Sequence, residues 1–137
     1  MKTIKALIGG IFLSSLTTVW CQGQNLFNSC SAAFLDNKLV VNEYSPTGKC
    51  TLSQTAKGTL TVAEATYKNK QWHQTAPVEF MVAIRDKDTH TLTSFSKEIY
   101  RSLDIQNVMK LCRKGDRIVL LTTSTKYALP HNEILVQ

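Results

Sequence analysis

The run Val78-Glu-Phe-Met-Val-Ala-Ile-Arg-Asp86 constrains the fold of this chain more than any other feature. Val78, Phe80, Val82 and Ile84 alternate with Glu79, Met81, Ala83 and Arg85. A period of two lines up one apolar row on one side of an extended strand, which a helix could not do with the same residues. Pro77 stands just before the run, where a missing backbone N–H costs little. Short extended runs recur at Lys38–Tyr44, Lys49–Gln54, Gly58–Tyr67, Asp116–Ser124 and Glu133–Gln137. Leu92–Ile99 fits either strand or helix and is taken as strand. Ser45-Pro-Thr-Gly48 is a turn between the first two runs. Gln24–Asp36 shows no clear period and reads as a lead-in, and Tyr67–His73 reads as a loop.

One segment has a different pattern. From Ser102 the spacing predicts a helix to about Lys114, with Ser102 as cap and Asp104 near its positive end. Leu103, Val108, Leu111 and Cys112 form its apolar stripe. Lys110, Arg113 and Lys114 sit at its negative end, and Gly115 stops it. The strands are not separated by regular helices, which argues against a parallel α/β enzyme fold. The expected class is mainly β, bordering on α+β: a single antiparallel, β-sandwich-like domain over residues 37–137, with six or seven short strands and one helix near 102–114.

Lys2 and Lys5 precede the apolar stretch Ala6–Trp20, the charged and hydrophobic regions of a secretory signal peptide. Residues 1–23 are read as that peptide. Cleavage after Gly23 would leave small residues at −3 (Cys21) and −1, and cleavage after Cys21 is the alternative. Lipidation at Cys21 is disfavoured by Trp20, which stands where the modifying machinery needs a small residue. The expected location is therefore secreted or periplasmic, with no transmembrane segment after cleavage. Removing Lys2 and Lys5 from 16 basic residues leaves 14 against 10 acidic ones, a net charge of +4. A chain so mildly basic, without a recognition motif, is not expected to bind nucleic acid.

In an exported chain the remaining cysteines, Cys30, Cys50 and Cys112, favour one disulfide and one buried thiol. Cys30–Cys50 is the first choice, closing a loop of about 20 residues. Cys30–Cys112 is the rival, and all three reduced is the third option.

Little in the sequence points to catalysis. Its histidines are His73, His90 and His131, and there is no nucleophile motif. Cys112 with His131 is the one thinkable dyad, although Cys112 reads as a buried helix-end residue. Asp86, Asp88 and His90 alternate and are weak candidates for a metal site, with a solvated hairpin tip as the plain reading. No cofactor is expected. Two basic neighbourhoods stand out. Tyr67, Lys68, Lys70, Trp72 and His73 interleave aromatic rings with cations, a pattern that stacks on and pairs with a partner. Lys110, Arg113, Lys114 and Arg117 are read mainly as complementing a helix end.

The order from Val78 onward is a strand, a polar connection, the segment SLDIQNVMKLC, a Gly115-Asp116 step into RIVLLTT and a terminal strand. This resembles the β-rich repeats in the periplasmic, C-terminal part of the Bacteroidetes gliding-motility and type IX secretion shaft proteins, where a Gly-Asp step likewise leads into a strand. The resemblance covers residues 78–137 and rests mainly on KGDRIVL. That family is structural, so the resemblance implies a non-enzymatic role in the cell envelope and transfers no catalytic residue. The expected function is accordingly a binding or structural module that contacts another envelope protein or polymer. The alternative is an inhibitor of a secreted hydrolase, with Tyr127–His131 as its plug. A small metal- or thiol-dependent enzyme is third.

Overall fold

The computed structural model of the chain describes residues 29–137. The expected signal peptide, its cleavage sites and Cys21 lie outside them. Eleven strands and one short helix follow in order: β1 (Ser29–Leu35), β2 (Lys38–Leu39), β3 (Thr51–Leu52), β4 (Thr59–Lys68), β5 (Gln71–Pro77), β6 (Phe80–Arg85), β7 (Leu92–Ser94), β8 (Ser102–Asp104), α1 (Ile105–Met109), β9 (Arg117–Thr122), β10 (Tyr127–Ala128) and β11 (Glu133–Val136). One sheet runs β10-β1-β4-β5, with β2 added to β1 and β8 to β4. The other runs β3-β11-β9-β6-β7. The fold is mainly β and sandwich-like, as expected. Pairing is antiparallel apart from β1 with β10 and β3 with β11, which are parallel.

The core draws on both sheets. Leu60 and Val62 from β4, Phe80 and Val82 from β6, Ile118 and Leu120 from β9, and Ile134 and Val136 from β11 are all buried in one cluster. These are the inward members of the alternating runs, so hydrophobic burial sets the register of each strand. Ile105 and Val108 of α1 close one side.

Several expectations need correction. The supposed lead-in supplies β1, which pairs with β4 from Ser31 opposite Glu64 to Leu35 opposite Leu60. Its period is hidden because it is covered on both faces: Ala33 belongs to the main cluster, Ala32 and Phe34 to a second one. The helix is only Ile105–Met109, because Ser102–Asp104 pair with Thr59–Thr61 of β4 instead. Its cap is Asp104, not Ser102: the Gln106 N–H donates to the Asp104 side chain at 3.0 Å. Strand pairing ends at Ser94 in the Leu92–Ile99 run, and Lys38–Tyr44 shrinks to Lys38–Leu39 plus a bridge between Val41 and Cys50.

The last concerns the cysteines. Cys50 and Cys112 are both free, buried thiols, so neither Cys30–Cys50 nor Cys30–Cys112 forms. Cys30 lies beside Ala128 in the parallel β1–β10 pair. The Cys50 Sγ instead lies 3.8 Å from the His131 carbonyl oxygen, and Cys112 packs into the core behind α1. Among the described residues no helix is long and apolar enough to cross a membrane.

Candidate functional site

The segment read as a loop around Trp72 is a hairpin. Asn69 and Lys70 have φ of 53° and 62°, the left-handed pair that a two-residue turn of matching twist requires. Strands β4 and β5 then run back to back, with Tyr67 opposite Trp72 and Lys68 opposite Gln71. The Tyr67 ring is 59% exposed, yet it rests against Trp72 at 5.2 Å between centroids. Trp72 in turn meets Tyr44 edge-on at 4.7 Å. Tyr44 is fixed from below, because its hydroxyl donates to the Ser31 carbonyl at 2.9 Å. Burial pushes its pKa up to about 12, so that donor keeps its proton across the physiological range. On its other side lies the His131 ring, at 5.7 Å.

Polar contacts fasten the hairpin lower down. The Thr61 hydroxyl donates to Gln74 Oε1 at 2.9 Å, and Gln74 Nε2 donates to Asn37 Oδ1 at 2.6 Å in the β1–β2 turn. β5 pairs only with β4 among the described residues, which leaves its outer edge open.

The structure brings together part of the expected set. Tyr67 and Trp72 share one face, with Lys70 in the turn between their strands. Lys68 and His73 fall on the opposite face by strand alternation. His73 Nε2 lies 3.1 Å from the Lys68 carbonyl oxygen, folded back along the hairpin. The sequence reading missed Tyr44, which reaches Trp72 from a distant segment, and the place of His131 against Tyr44; neither carries a local signal.

The metal candidates do not converge. Asp86 Oδ1 accepts the N–H groups of Asp88 (2.8 Å) and Thr89 (3.0 Å), a self-contained turn. The N–H groups of Thr89 and Asp88, and then the Arg113 guanidinium, hold the Asp86 carboxyl below its ordinary pKa. Arg113 Nη2 stands 2.8 Å from Asp86, 3.6 Å from Asp88 and 3.8 Å from Asp116 carboxylate oxygens, so an arginine fills the place a cation would take. The His90 carbonyl accepts from Arg85 at 3.3 Å. Among the described residues no group of three or more His, Cys, Asp and Glu is arranged to hold a metal ion.

Nor does the thinkable dyad come together as imagined. The cysteine next to His131 is Cys50, against its backbone, while the Cys112 carbonyl accepts from Gln54 Nε2 at 2.8 Å. Burial raises both thiols to about 11, in favour of the protonated, weakly nucleophilic form. Of the Tyr127–His131 segment, part is held by the fold. Tyr127 and Ala128 pair with β1, and Leu129 packs on the core.

No protein-family model matches this chain, and neither a curated protein nor a solved structure does.

Proposed function

We propose that this chain is a non-enzymatic, exported binding module that contacts another protein of the cell envelope through the β4–β5 hairpin. The observation that carries this reading is Tyr67, a large ring left 59% exposed at a hairpin end while Trp72 and Tyr44 hold it from behind. A ring ordered before binding loses little further entropy when a partner covers it. Aromatic anchors of this kind dominate protein interfaces. Lys70 in the turn and Lys68 on the reverse face of the same tip, both exposed, add positive charge that steers an acidic partner. The open edge of β5 supplies backbone donors and acceptors beside it. The resemblance of residues 78–137 to structural envelope repeats agrees with this reading. The inhibitor alternative would have to act through Pro130 and His131, because Tyr127 and Ala128 are held in the β1–β10 pair.

The test is a pull-down of the tagged chain from its own envelope fraction, beside a Tyr67→Ala/Lys68→Gln/Lys70→Gln variant. All three positions are exposed, so the variant should stay folded and lose no more than the Tyr67–Trp72 ring pair, about 0.2–1 kcal/mol. Stoichiometric capture of one envelope protein by the parent and its loss in the variant are expected. Equal capture by both would remove the hairpin from the interface.

A further inference from the structure

The second sheet carries a cleft of about 430 Å³ at its β3 edge, well away in sequence from the hairpin tip. Ile134 and Val136 point into the core, so Glu133 and Leu135 face outward. The register sets Thr51, Leu135 and Arg117 side by side across β3, β11 and β9. Lys49, two residues before Thr51, lines the same cleft, with Asn132 at its wall.

The charges here are unbalanced. Arg117 lies directly opposite Arg85 in the β6–β9 pair, a like-charge placement that disfavours the sheet. The single acid lining the cleft, Glu133, is taken by Arg85, whose Nε lies 3.1 Å from its carboxylate. Neither Arg117 nor Lys49 makes an ion pair among the described residues. The hydroxyl of Thr51 and the carboxamide of Asn132 make no hydrogen bond there either. Four polar groups with donors to spare therefore surround an apolar floor, Leu135. A helix end does not account for Arg117, which opens β9 and is paired on both sides, with Arg85 and Leu135.

We propose that this cleft binds a small molecule bearing an oxyanion, a carboxylate or a phosphoryl group, on a partly apolar body. Arg117 takes the oxyanion with its guanidinium fork and Lys49 supplies a second charge. The Thr51 hydroxyl and Asn132 amide orient it, and Leu135 takes the apolar part. The cleft's size is that of a small-ligand site. The proposed ligand contacts share no residue with the hairpin tip, so the proposal stands or falls without it.

The test is an NMR titration of the intact, ¹⁵N-labelled chain with phenyl phosphate, benzoate and inorganic phosphate. Saturating shifts at the amides of Arg117, Asn132 and Leu135 are expected with at least one organic probe, and weaker ones with inorganic phosphate. Phenyl phosphate and benzoate separate the phosphoryl from the carboxylate source. Arg117→Gln should weaken binding about tenfold or more, with Lys49→Gln as a second variant, while Lys70→Gln and Tyr67→Ala leave it unchanged. Absence of saturation with every probe would overturn the site. An equal loss in Lys70→Gln would do the same, because it would mean only diffuse attraction to a basic chain.

Discussion

Asp116 shows how much one buried carboxylate can organise. It is 3% exposed, and its two oxygens accept the N–H groups of Lys87 (2.9 Å) and Arg113 (2.8 Å). It thereby ties the turn after α1 to the turn that follows β6. Asp116→Ala would leave both N–H groups short of a partner, and a loss of about 2–4 kcal/mol is expected, read by urea unfolding. A conserved-shape change to Asn would keep one acceptor and should cost less. Gly58 is the second residue with no freedom to change. Its φ of +129° excludes ordinary side chains, and a Cβ there would come within 2.4 Å of Asp36 Oδ2. That same Asp36 side chain accepts the Thr59 N–H at 2.8 Å and so starts β4. Gly58→Ala should therefore destabilise by more than about 1 kcal/mol, and the β4 amides should lose hydrogen-exchange protection first.

Among the elements, the hairpin separates stability from binding. Lys70 occupies a left-handed position that glycine fills without strain. Lys70→Gly relieves the roughly 1–2 kcal/mol cost of a left-handed side-chain-bearing residue. The greater freedom of glycine in the unfolded chain takes part of that back, so a small net stabilisation is expected while part of the proposed positive charge is removed. Trp72→Ala should act the other way, costing about 1–3 kcal/mol because Tyr44 and Tyr67 both lose their support. Paired melting curves and capture assays on the two variants would distinguish a positioning residue from a contacting one. How legible each element was follows from what covers it. In β4, β6 and β9 one row of large apolar side chains fills the main core, so Leu60, Phe80 and Ile118 could be read from alternation alone. β1 has apolar neighbours on both faces, which erased the pattern. β5 alternates Trp72, Gln74 and Ala76 with more exposed residues, but its inward row is too polar to stand out. The α1 segment had helical spacing, yet pairing with β4 claimed Ser102–Asp104 first. Tyr67, Trp72 and the lysines could be singled out by composition; that Trp72 rests on Tyr44, or that Arg117 stands opposite Arg85, depended on contacts between distant segments.

At the scale of the whole molecule, the buried titratable groups set the pH range over which the two sheets stay together. Cys50 and Cys112 both join the main core, and burial raises each thiol from 9.0 to about 11, with the Asp116 charge adding to the effect at Cys112. Between those values the unfolded chain releases protons that the folded chain retains, so stability falls as pH rises through that window. Tyr44 extends the decline, since burial moves it from 10.0 to about 12. On the acid side the sign reverses. Burial lowers the pKa of His131 from 6.5, against a smaller opposing contribution from a backbone hydrogen bond with Ser45. The unfolded histidine takes up a proton first, so its contribution to stability is present above pH 6.5 and is lost as pH falls through the folded pKa. Urea midpoints should therefore be highest between about pH 7 and 9 and fall on either side. A Cys50→Ala/Cys112→Ala variant should begin from a lower midpoint and show a flatter alkaline limb. His131→Asn should flatten the acid limb alone. If both limbs kept their slopes in these variants, the exposed carboxylates and lysines would control the pH response, and the buried groups joining loop 41–50, the helix end and the β10–β11 connection would not.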